Sequence, residues 1–141
     1  MGCPLLPVPE TTKTDLEREV AALSQEFEAE FYLRALETRP DDVEILFVLG
    51  NVLTSLGRLE EGLRIDRRLV ALTPKQPTSL YNLACSLALL EHYEESLQVL
   101  ERALDAGFDD LELLTEDDDL QGLHGHPAFE SLVERVKALA S

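Results

Sequence analysis

Apolar residues recur along most of this chain at steps of three and four, the period of a helix that buries one face. The opening is the exception. Residues 1–13 contain Pro4, Pro7 and Pro9 and show no period, which predicts a flexible proline-rich arm. Thr14-Asp15-Leu16-Glu17 then reads as a capping box, in which hydroxyl and carboxylate satisfy backbone donors reciprocally. A stripe of Leu16, Val20, Leu23, Phe27, Phe31 and Ala35 follows, so the pattern predicts one long helix over 14–39, stopped by Pro40. From residue 43 the stripes come in pairs broken near Gly57 and Glu91, which predicts antiparallel helix hairpins.

Comparison of the sequence with itself at an offset of 34 residues strengthens this reading. Leu46, Leu49, Leu53, Leu56, Glu60, Glu61, Leu63 and Arg68 recur as Leu80, Leu83, Leu87, Leu90, Glu94, Glu95, Leu97 and Arg102. Gly50 and Ala84 keep a small residue at the same offset, as do Gly62 and Ser96. Small residues there let neighbouring helix backbones approach closely while the leucines interdigitate. With a large residue followed by Leu-Gly or Leu-Ala, and Pro74 closing the first unit, the pattern resembles the tetratricopeptide repeat. Leu46 and Leu80 stand where the family often has Trp or Tyr, Asp66 stands at a site that is usually aromatic, and Phe108 takes the place of the second closing Pro. The resemblance implies an all-α, short right-handed solenoid of helix pairs, with repeats at 43–76 and 77–110 and an N-terminal helix that fits only half a repeat. Residues 111–141 are similar to the segment closing many bacterial arrays of this family: an acidic turn, the pair Leu120 and Leu123, and a capping helix opened by Pro127 and Phe129.

The resemblance also implies a site. In this family the first helix of each repeat lines a concave groove that holds a peptide or helix of a partner. By register those positions are Phe47, Val48, Asn51, Thr54, Tyr81, Asn82, Cys85 and Leu89. Asn side chains can bond a peptide backbone as donor and acceptor, and the aromatics offer contact area. Asn51 and Asn82 occupy the asparagine registers of the clamp with which some relatives grip chaperone C-termini. Its cations are missing, because Phe47 replaces the first Lys and acidic residues 111–119 replace the third repeat. The expected ligand is therefore apolar or basic rather than acidic. Alternatively, the N-terminal helix or the tail fills the groove.

Charge narrows the classes further. The 141 residues carry 28 Asp and Glu against 12 Lys and Arg, a net charge of -16, which repels nucleic acid and anionic membranes. Residues 76–134 hold 14 of the acids and one base, Arg102, whereas Arg58, Arg64, Arg67 and Arg68 cluster just before them. This reads as solvated faces and local ion pairs, or as docking faces for a basic partner. Cys3 and Cys85 lack zinc or disulfide spacing, which with the absence of a signal-like opening points to a cytoplasmic protein. Gly2-Cys3 is a poor acylation site, since Leu6 stands where Ser or Thr is required. His124 and His126 beside Asp117, Asp118 and Asp119 invite a metal, yet their spacing suits neither a zinc helix nor a calcium loop, and no cofactor motif occurs. The expectation is a non-enzymatic adaptor or scaffold. A small acidic chaperone of secretion type is the alternative, and a metal-binding protein the third. Two repeats make a short array, so a homodimer or a larger assembly is open.

Overall fold

The computed structural model describes residues 10–140, with side chains from Thr14 onward. Seven α-helices and one 3-10 turn make up the described residues, without a strand: α1 Glu10–Thr38, α2 Val43–Ser55, α3 Leu59–Leu72, α4 Pro77–Leu89, α5 Tyr93–Asp105, α6 Leu111–Glu116, the turn Asp118–Leu123, and α7 Pro127–Ala140. The chain is thus an all-α solenoid in which successive helices pack as pairs. Of the expected arm, residues 1–9 and with them Gly2 and Cys3 lie outside the described residues, while residues 10–13 already belong to α1. Thr14 consequently lies inside the helix and does not cap it.

Local chemistry sets the other boundaries. The Asp42 carboxylate accepts the Ile45 N–H at 3.2 Å and so caps α2, and Pro77 opens α4 at a position where no backbone donor is needed. At the end of α2, Gly57 turns left-handed at φ 77°, which allows the Arg58 N–H to reach the Leu53 carbonyl at 2.9 Å. The same turn recurs one repeat later, but there Glu91 holds the left-handed conformation at φ 63°.

The interior has two parts. Leu46, Leu49, Leu53 and Leu69 form the first with Ala29 and Leu36 of α1. Leu80, Leu87 and Leu100 form the second, which the tail closes with Leu120, Leu123 and Phe129, each 1% exposed or less. A buried leucine contributes roughly 1.5–3 kcal/mol, so the tail seals the array with a substantial share of its core. Small residues sit where the spacing put them. Gly50 backs directly onto Asp66, and a Cβ there would stand 2.2 Å from Asp66 Oδ1. Ser96 Oγ donates to the Ala84 carbonyl at 2.6 Å, which joins α5 to α4.

The stripe on α1 is the main departure from the sequence reading. Leu16, Val20, Leu23, Phe27 and Phe31 are all exposed, and α1 packs on α2 through Ala29, Tyr32, Leu33 and Leu36 instead. At about 100° per residue those two sets lie on opposite sides of one helix. Ala29 explains the choice: its small side chain, fully buried, lets α2 come close, whereas Phe27 or Phe31 would hold the helices apart.

Candidate functional site

A cleft of about 540 Å3 opens between α2, α4 and the tail. Asn51 and Thr54 of α2 line one wall, Asn82, Tyr81 and Cys85 of α4 the other, and Phe108, Asp109, Asp110, Asp117 and Asp119 the third. Asp66, from α3, forms part of the floor. The helical period places Thr78, Asn82 and Tyr81 on one side of α4, which is why the register argument brought most of these groups together. It did not bring all of them. Phe47 and Val48 line a second, more apolar hollow of about 800 Å3 with Val43, Pro74 and Lys75, and Leu89 lines neither.

Tyr81 and Cys85 differ from the expectation in a further respect, because the tail covers them. Tyr81 stacks on Phe108 with ring centres 4.5 Å apart, and its hydroxyl donates to Asp117 Oδ2 at 2.7 Å. Cys85 Sγ lies 3.9 Å from the same oxygen. Asp117 meanwhile accepts the Asp119 N–H at 2.9 Å through its other oxygen and so starts the 3-10 turn. One carboxylate therefore seats the closing turn and fastens it to α4. The tail fills this end of the groove, while Asn51 stays exposed and Asn82 half-buried.

The electrostatics of the cleft follow from burial without cations. Asp66 is buried, receives a hydrogen bond from Ser86 Oγ at 2.5 Å, and has its pKa pushed up from 3.8 to about 6 by desolvation. Asp119 is raised as well, first by burial and then by Asp117 and Asp118. Burial, with Cys85 and Asp117 beside it, keeps the Tyr81 phenol protonated, and burial with Asp117 pushes the Cys85 thiol up. A thiol held in that state is a poor nucleophile.

Of the side chains in the metal reading, Asp117 and Asp119 come together and the histidines do not join them. His124 stacks on Phe129 at 5.1 Å and His126 leans on Tyr93 at 5.6 Å, so both histidines pack against aromatic rings. The group that gathers among the described residues is Cys85, Asp117 and Asp119, with ligand atoms within 4.8 Å of one another. Its hydrogen bonds to Tyr81 and to the turn account for that cluster. Three of the four clustered arginines are also engaged internally: Arg58 pairs with Glu26 at 3.3 Å and Glu61 at 2.6 Å, Arg67 with Glu95 at 2.6 Å, and Arg68 with Asp41 and the Pro40 carbonyl. Each ties one helix or turn to the next.

Comparison with known proteins adds to this geometry. Residues 31–64 and 77–106 match the tetratricopeptide repeat family. The chain is a tetratricopeptide-repeat protein. The first match takes in the end of α1, all of α2 and the start of α3, one helix out of step with the expected unit 43–76, whereas the second coincides with α4 and α5. Superkiller protein 3 of Saccharomyces cerevisiae is 33% identical over 73 residues, 52% of this chain and 5% of that protein. The chain thus spans a small fraction of the curated relative it matches. Tetratricopeptide repeats are in general protein-interaction modules. Among the described residues, no helix is long and apolar enough to cross a membrane.

Of the groups in the cleft, Asp66, Phe108, Asp109, Asp110, Asp117 and Asp119 were absent from the expected site. Asp66 had left a signal, a lone carboxylate on a helix face otherwise given to Ile65, Leu69 and Gly62. Phe108, Asp109 and Asp110 end the second repeat, beyond the helix whose register was used, and Asp117 and Asp119 come from the tail, for which a register drawn on two repeats has no position.

Proposed function

We propose that this tetratricopeptide-repeat protein is a non-enzymatic adaptor that holds an extended segment of a partner protein in the cleft between α2 and α4, and that the segment carries a basic side chain. The observation that carries this reading is the lining: every charged group in the cleft is a carboxylate, and Asn51 and Asn82 stand at its mouth ready to bond a peptide backbone. An incoming Lys or Arg would relieve the crowding of Asp117, Asp118 and Asp119 and meet the buried Asp66. Cys85 as a buried free thiol suits a reducing, cytoplasmic setting. The test is fluorescence anisotropy with labelled decapeptides that share an apolar frame and differ in one central Lys, Gln or Glu. The Lys peptide is expected to bind at least tenfold more tightly than the Glu peptide, and Asn51→Arg/Asn82→Arg to abolish the preference. Equal binding of all three, or preference for Glu, defeats the proposal.

The apolar hollow at Val43, Phe47, Val48 and Pro74 favours the chaperone alternative, since it could shield an exposed hydrophobic stretch of a client. Co-expression that keeps an aggregation-prone partner soluble, and fails with Phe47→Glu, would support that reading over the adaptor.

A further inference from the structure

The apolar stripe of α1 lies on the face turned away from the array. Leu16, Val20, Leu23, Phe27 and Phe31 are 53%, 65%, 70%, 75% and 60% exposed. All residues from 14 to 24 are exposed, so about three turns of α1 extend beyond the part that α2 supports. A helical segment without tertiary burial is only marginally stable in water. The spacing from Leu16 to Phe27 is four, three, four, with the β-branched Val20 between leucines, which is the seam of a helix that packs against another helix.

The borders of the seam specify what can lie on it. At about 100° per residue, Glu19, Glu26 and Glu30 fall along one edge and Glu17 and Glu28 along the other. Arg18 points to the opposite side of the helix, and Arg34 sits at the far end of the seam beside Phe31. Arg58 forms an ion pair with Glu26 and is drawn electrostatically to Glu30, which leaves Glu19 on that edge and Glu17 and Glu28 on the other for a partner's cations. A second copy of this chain, with its net charge of -16, would add the same acidic edges to those already present. An anionic lipid surface would be repelled in the same way.

We propose that the outer face of α1 is a docking surface for an amphipathic helix of another protein, one with an aliphatic seam bordered by Lys and Arg. Apolar burial along Leu16, Val20, Leu23 and Phe27 provides the contact, and the glutamates on both edges select the partner's charge. This surface is separate from the cleft, so the two proposals stand or fall independently.

The test uses the full chain and synthetic amphipathic peptides three heptads long, with one leucine seam and with either lysine or glutamate edges. Anisotropy is expected to show binding of the lysine peptide that weakens as salt rises, and at least tenfold weaker binding of the glutamate peptide. Leu23→Glu/Phe27→Glu, which alters only exposed positions, is expected to lose the lysine peptide at least tenfold with an unchanged melting temperature. Asn51→Arg/Asn82→Arg is expected to retain it. Equal binding by the stripe variant, or loss in the cleft variant alone, would overturn the assignment. So would sedimentation showing a homodimer that the stripe variant abolishes, or binding to phosphatidylcholine vesicles that depends on the stripe.

Discussion

Asp66 offers a quantitative test of how this array is held together. Its side chain is 2% exposed, its neighbours on α3 are Ile65 and Leu69, and Ser86 Oγ supplies a hydrogen bond at 2.5 Å. Desolvation outweighs that bond and raises the folded pKa from 3.8 to about 6. Because the folded value is the higher one, the native state favours the protonated acid. Its contribution to stability is fully present below about pH 4 and is lost as pH rises through about 6. A shift of about two units corresponds to about 3 kcal/mol. Asp66→Asn keeps the acceptor for Ser86 but carries no charge at any pH. The variant is therefore expected to exceed wild type by up to about 3 kcal/mol at pH 7, less about 1 kcal/mol if the new amide N–H lacks an acceptor. At pH 4 that advantage should vanish. Urea denaturation followed by circular dichroism at pH 4, 5, 6 and 7 reads this directly, and the difference between the two proteins cancels titrations elsewhere. Parallel pH profiles for wild type and variant would refute the reasoning, since Asp66 would then titrate alike in folded and unfolded chains.

Two further expectations concern the repeat geometry. Glu91 holds a left-handed conformation that Gly57 adopts in the preceding repeat, so Glu91→Gly should stabilise the fold by about 0.5–1 kcal/mol, read as a raised urea midpoint; a lowered midpoint would contradict the strain. Gly50→Leu should cost about 1–3 kcal/mol because the new side chain enters the space of Asp66 Oδ1, and the penalty should shrink in an Asp66→Ala background; additive effects would show that the two positions do not meet.

The sequence made the repeat architecture legible because a leucine that recurs at a fixed offset is hard to place except in a recurring interface. Leu46, Leu49 and Leu53 and their counterparts Leu80, Leu83 and Leu87 are all buried, as that argument requires. The same kind of evidence misled at α1. Periodicity identifies an apolar stripe but not its neighbour, and α1 carries apolar groups on two sides. The choice between them rests on volume: Ala29 admits α2 closely and Phe27 does not. The cleft was legible in part. Asn51, Thr54 and Asn82 follow from helical register, which is local. Asp117 reaches Tyr81 across 36 residues of chain, and no local pattern encodes that meeting. Asp66 stood out in the sequence only as a misfit at an aromatic position, and its burial shows what the misfit does: it occupies the space that Gly50 leaves free.

The bond between Tyr81 and Asp117 also bears on how such a protein can change over evolutionary time. The side chain that ends the cleft is the one that starts the turn carrying Leu120 and Leu123 into the interior. A lineage that loosened this contact to lengthen its groove would uncover its own core in the same step. Reach and integrity are inherited together here, so diversification is channelled toward the α2 wall of the cleft and the outer face of α1, where substitutions leave the closure untouched.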